Sequence, residues 1–212
     1  VSVLPDIFFA ELGGGAPDWL PFAKMGLLLL LALAAWVWKD LRPLRNFFII
    51  LFAFFGLSAL RPLVNFSIPA LQALFGGSVF DARMQAEQTG KLAISAAIIV
   101  ILLALGYRRR DFFLTRGDLY APIEPVPWMG FPKRDPWLRF ALQWGLYIAL
   151  ALGVMQYFSL RPSGGVLLNV LPILPSILFY AALNAFNEEI VYRSPLLATL
   201  EPVAGSRQAL WM

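Results

Sequence analysis

The chain has 212 residues, 59% of them hydrophobic and only 14% charged, with a mean hydropathy of +0.71. A soluble domain is nearer half apolar and a quarter charged, so this composition reads as one polytopic helical bundle in a membrane rather than two domains. There is no cysteine and no histidine, which excludes disulfides, iron–sulfur clusters and thiolate zinc sites and removes the commonest general base and metal ligand. The net charge of +4 does not point to nucleic acid, because the basic residues sit between apolar runs, as topology signals do.

Residues 1–18 are mixed and acidic (Asp6, Glu11, Asp18) and break at Gly13-Gly14-Gly15. They lack the basic start and small-residue cleavage site of a signal peptide. The first predicted span is Leu20–Trp38, with Trp19, Trp36 and Trp38 as interfacial aromatics. Lys39, Arg42 and Arg45 follow, and Pro43 ends the helix. The second span, Asn46–Leu60, rises only about 22 Å against a hydrocarbon core of ~30 Å. Either it continues as a kinked helix past Arg61-Pro62, or residues 63–75 form a re-entrant or interfacial helix. The second option is preferred. Gly76–Lys91 is polar and reads as a link. The third span is Leu92–Tyr107, closed by Arg108-Arg109-Arg110.

Residues 111–137 read as a loop rich in proline and glycine (Gly117, Pro122, Pro125, Pro127, Gly130, Pro132, Pro136). Its apolar patches, Phe112-Phe113-Leu114 and Trp128-Met129-Gly130-Phe131, are expected to pack on the bundle or anchor at the interface, with substrate gating or lipid contact as the alternative. The fourth span is Phe140–Phe158, and Ser163-Gly164-Gly165 turns the chain. The fifth is Val166–Phe186, interrupted by Pro172 and Pro175, where freed carbonyls need a neighbour or a cavity. Gln208–Met212 reads as the start of a sixth span. The chain opens at Val1 and stops within that run, so it is expected to be a fragment whose C-terminal helices are missing, with its motif-bearing part at about 138–212. Three basic residues in loop 39–45 and seven in 108–139 place both loops on the cytoplasmic side and the N-terminus outside. A full crossing by 63–75 would invert that pattern.

The candidate site is Glu188-Glu189-Ile190-Val191-Tyr192-Arg193, charge at the end of a long apolar run. Such charge is expensive in a membrane and marks function by default. At i, i+4 spacing on a continuing helix, Asn184 lies over Glu188 and Glu188 over Tyr192, while Glu189 lies over Arg193. Glu189 is thus expected to stay ionised in an ion pair. Glu188, without a cation in helical register, is the carboxylate expected to take a proton from water as a general base. The plain alternative is an exposed pair worth about 0.3–0.5 kcal/mol with Glu188 solvated and idle.

The run Asn184–Arg193, followed by Ser194-Pro195-Leu196-Leu197 and Leu200, resembles the EExxxR motif of the CAAX-protease and bacteriocin-processing (CPBP, or Abi) family. Glu201-Pro202-Val203-Ala204-Gly205 and Arg207-Gln208-Ala209-Leu210 resemble the segment leading into the next helix. The likeness covers about forty residues, from near Pro172 to Met212. It implies an intramembrane glutamate endopeptidase, CAAX-prenyl-protease-like, cleaving a peptide bond near the cytoplasmic face of a bacterial inner membrane. Its substrate would be a peptide or protein, prenylated or of bacteriocin type, and no cofactor or metal is implied. Glu188 would activate water. Glu189 and Arg193 would complete the catalytic motif by orientation and ion pairing, and Asn184 and Tyr192 would support it. The family's other motifs, FxxxH and HxxxN or HxxxD, cannot occur in a chain without histidine. The resemblance therefore places them downstream of Met212 and makes this chain alone inactive. A non-enzymatic membrane immunity or scaffold protein, binding a peptide or partner helix, is the competing expectation. A small transporter is disfavoured because the spans before 186 hold almost no ionisable residues.

Overall fold

The computed structural model describes residues 4–60, 63–64 and 66–209. Among them the chain forms α1 (Leu4–Gly13), α2 (Leu20–Val37), α3 (Arg45–Leu60), α4 (Pro69–Phe75), α5 (Val79–Ala104), α6 (Trp137–Leu160), α7 (Gly164–Val170), α8 (Leu174–Glu188), α9 (Ser194–Ala204) and α10 (Ser206–Ala209). A π turn, Glu189–Arg193, joins α8 to α9. The only β features among the described residues are isolated bridges, Pro122 with Pro136 and Val126 with Phe131.

Among the described residues five helical stretches are long and apolar enough to cross a membrane: Leu20–Val37, Arg42–Leu60, Val79–Ala104, Trp137–Leu160 and Gly164–Ala204. Their number agrees with the hydropathy reading. Arg61-Pro62, where the alternative reading put a kinked helix, and the greater part of the expected sixth span (Leu210–Met212) lie outside the described residues. In the 63–75 segment α4 has seven residues. It rises about 10 Å and cannot cross.

Gly76–Lys91 is not the polar link expected from its composition. It is helical from Val79. Ser78 caps the helix: its hydroxyl accepts from the Asp81 N–H at 3.1 Å, and the Asp81 carboxylate accepts from the Ser78 N–H at 3.1 Å. This reciprocal arrangement satisfies two N–H groups that a helix start leaves without partners. The polar residues Asp81, Gln85, Gln88 and Thr89 are buried. Their 3–4 residue spacing gathers them on one face of α5, so low hydropathy here marks a buried polar seam rather than a loop. Gln85 Nε2 donates to the Ile68 carbonyl at 2.9 Å and Thr89 Oγ1 to the Phe66 carbonyl at 2.8 Å. These bonds tie the segment before α4 to α5.

The described residues divide into two compact units, one running to Leu114 and resuming at Pro175, the other spanning Thr115–Leu174. In the first, α2 packs along α3, and α3 packs on α5 and α9. An ion pair between Asp6 and Lys24 ties α1 to α2. Ile50, Ile94, Ile98, Leu102, Phe112, Val191 and Ala198 form the core. Phe112 is fully buried while its neighbour Phe113 stays exposed at φ 62°. That part of the 111–137 loop therefore packs on the bundle.

In the second unit the loop folds back over the start of α6. Pro136, the residue before α6, offers no side-chain cap. The carbonyls of Ala121 and Leu119 accept instead from the N–H groups of Trp137 and Leu138, both at 2.9 Å. Phe131 is buried and meets Phe140 with ring centroids 5.1 Å apart, while Trp128 is exposed. Helix α6 buries none of its residues. At Pro172 the chain makes a 3₁₀ turn, Leu171–Ile173, before α8 begins. Pro175 falls in the first turn of α8, where a missing N–H costs least.

Candidate functional site

Helix α8 presents Ser176, Tyr180, Asn184 and Asn187 at helical spacing toward the polar face of α5. Ser176, Tyr180 and Asn187 are buried. Asn187 Oδ1 accepts from Ser95 Oγ at 2.9 Å, and its Nδ2 lies 3.4 Å from Gln88 Oε1. Gln88 Nε2 donates to Asn184 Oδ1 at 3.2 Å, and Lys91 Nζ donates to the same oxygen at 2.6 Å. Asn184 Nδ2 in turn donates to Glu188 Oε1 at 2.8 Å. Lys91 is also paired with Glu87 at 2.9 Å. The orientation of the Asn184 amide follows from chemistry. An ammonium can only donate, so the carbonyl oxygen must face Lys91 and the NH₂ must face Glu188.

The two carboxylates of the motif thus have different surroundings. Glu189 meets Arg193 at 3.4 Å, with both side chains well exposed. Glu188, itself an exposed residue, is held through Asn184 and lines a cavity of about 290 Å³. Phe54, Phe55 and Ser58 of α3 form one wall. Lys91 and Ile94 of α5, with Asn187, Glu188, Val191 and Tyr192, form the rest. Tyr192 rests on Phe54, ring centroids 5.2 Å apart. All five residues singled out in the sequence therefore lie at or beside this site. Glu188 and Tyr192 line the cavity, Asn184 stands behind it bonded to Glu188 and Lys91, and Glu189 and Arg193 form a separate pair.

Glu188 has no cation in the register of its own helix, as its spacing predicts, but another helix brings one near. Lys91 arrives from α5 and stands one amide group away. The helix was read as continuous α through Arg193, whereas Glu189–Arg193 is a π turn in which the Ser194 N–H reaches back to the Glu189 carbonyl. Pro195 accounts for it. Proline has no N–H, and its ring would strike the carbonyl of Val191 four residues back in an α-helix, so the backbone widens. Such bulges are frequent at functional sites.

Lys91, Gln88, Ser95 and Asn187 were missed from sequence. The available signal was the 3–4 residue spacing of polar side chains from Asp81 to Ser95, continuing into an apolar span. Among the described residues no three of His, Cys, Asp and Glu come together as metal ligands. Compared with protein-family models, curated proteins and solved structures, the chain matches none.

Proposed function

We propose that the chain is an integral membrane protein carrying a glutamate-dependent peptide hydrolase centre, of the kind implied by the CAAX-protease and bacteriocin-processing resemblance. Glu188 is its base. The observation that carries this reading is the separation of the two carboxylates. Arg193 engages Glu189, whereas Glu188 is oriented by a neutral amide onto a cavity wall. A carboxylate positioned that way, with an oxygen left to accept from water, is what general-base hydrolysis requires. Phe54 and Phe55 opposite supply an apolar wall for a substrate side chain.

Membrane insertion is supported by the five apolar helices and by α6, whose Leu142, Leu150, Met155 and Phe158 are each more than half exposed. Lipid tails satisfy such a surface and water does not. The Lys and Arg bias favours a cytoplasmic side for loops 39–45 and 108–139 in a bacterial inner membrane, and the cavity residues Phe54, Ser58 and Lys91 lie nine or more residues along α3 and α5 from those loops, within the depth of the apolar helices.

The test is Glu188→Gln in the protein expressed from its native gene and reconstituted in nanodiscs, assayed on fluorogenic peptides with apolar residues flanking the scissile bond. Loss of the base should lower turnover by about 10²–10⁴-fold. Turnover within twofold of the unsubstituted protein removes Glu188 from the mechanism. The absence of histidine favours a second reading, a membrane scaffold that binds a peptide. That reading predicts saturable peptide binding without cleavage in both proteins.

A further inference from the structure

The geometry points to Lys91 as a second catalytic group of this centre: the cation that stabilises the oxyanion formed when water attacks a substrate carbonyl. The inference rests on the hydrolase reading and deepens it by supplying a partner to Glu188 from within this chain.

An ammonium has three N–H bonds. One goes to Glu87 at 2.9 Å and one to Asn184 Oδ1 at 2.6 Å. The third is left for whatever occupies the cavity that Lys91 lines together with Glu188. Two anchors on a tetrahedral ammonium restrict where the third N–H points, and the Lys91 side chain is only 24% exposed. Such a donor is oriented before substrate arrives and is partly shielded from water, the condition under which oxyanion stabilisation is strong. Glu87 offsets the charge of Lys91, so the ammonium is tolerated beside Ile94 and Val191. Base and cation are kept apart by the Asn184 amide, which accepts from one and donates to the other. They therefore do not collapse into a direct ion pair, and both remain available.

In the reaction Glu188 removes a proton from water as the water oxygen forms a bond to the carbonyl carbon. The carbonyl π electrons move onto its oxygen, which accepts the free Lys91 N–H. Collapse reforms the C=O bond and breaks the C–N bond. The departing amine takes the proton held on Glu188, and a carboxylic acid and an amine are released. Water is the only co-reactant, and no electron changes hands with the protein.

The experiment compares Lys91→Met, Lys91→Arg and Glu188→Gln in the nanodisc-reconstituted native protein. It uses the same fluorogenic peptides and a phosphinic analogue of the peptide cleaved fastest. A phosphinate carries the anionic tetrahedral centre ready-made, so its binding needs the cation and not the base. Lys91→Met is expected to lower kcat about 10²–10³-fold with KM within threefold, and to weaken phosphinate binding at least 30-fold. Lys91→Arg should recover part of both. Glu188→Gln should lose turnover and keep phosphinate affinity. Glu188-dependent cleavage with phosphinate affinity unchanged in Lys91→Met overturns the Lys91 assignment alone. Cleavage that does not depend on Glu188, or none at all, overturns the hydrolase reading beneath it.

Discussion

Asn187 is 1% exposed at the α5–α8 contact, and Asn187→Ala isolates what the buried polar seam contributes. The substitution removes the 2.9 Å bond from Ser95 Oγ and a long amide contact at 3.4 Å to Gln88 Oε1. It does not orphan Ser95. That hydroxyl also lies 3.0 Å from the Lys91 carbonyl one turn back, and its single proton can turn wholly to that acceptor. The hydrogen-bond loss should therefore be close to that of an ordinary interhelical bond between membrane helices, about 0.6 kcal/mol and at most ~1.7. The vacated space, roughly 25 Å³, adds about 0.6 kcal/mol at the usual cost per unit of cavity volume. The expected total is about 1–2 kcal/mol. Unfolding in mixed micelles titrated with denaturing detergent, followed by tryptophan fluorescence, measures it. A double-mutant cycle with Ser95→Ala should give a coupling of about 0.5–1 kcal/mol. A loss above 4 kcal/mol, or a coupling of zero, would refute the reasoning. The first would mean that Ser95 cannot fall back on the helix backbone, and the second that the 2.9 Å bond contributes nothing.

Three further outcomes are expected. Ser78→Ala removes the acceptor that caps α5 and the hydroxyl that donates to the buried Asp81 carboxylate, and should cost about 1–2 kcal/mol in the same unfolding assay. Arg193→Ala breaks an exposed i, i+4 pair and should change stability by no more than about 0.5 kcal/mol; a larger loss would mean that the arginine is engaged elsewhere. Because the sequence contains no cysteine, single cysteines placed at Arg109 and Arg161 can be labelled in intact cells and in inverted vesicles. Residue 109 should react with an impermeant maleimide only from the cytoplasmic face and residue 161 only from the opposite one, and the reverse pattern would overturn the orientation.

What could be read from the sequence divides along physical lines. Hydropathy is a property of a segment alone, so five apolar helices were legible, although the third starts at Val79 rather than Leu92 and the fifth stretch runs on to Ala204 rather than ending at Phe186. The Glu189–Arg193 pair was legible because i, i+4 neighbours depend only on local helix geometry. Gly76–Lys91 was misread because Gln85, Gln88 and Thr89 are polar for the sake of partners far along the chain, and composition counts them as loop-like. Lys91 escaped for the same reason: its bond to Asn184 joins two helices, and no periodicity within α8 announces it. The π turn had a local cause in Pro195, but a register argument that assumes regular α geometry passes over it.

That turn also alters how α9 must be read. Each residue of an α-helix advances the chain by about 100° around its axis, and the π turn Glu189–Arg193 takes up one residue more than an α turn would. The faces of α9 are therefore set as though one position between Glu188 and Ser194 were not counted. A helical wheel drawn through α8 and continued unbroken would assign Ala198 and Thr199, both buried, to phases about 100° from those they occupy. The count has to restart at Ser194, and removing a single residue from the turn is the length change that α8 and α9 could absorb while keeping their present faces toward α5 and α3.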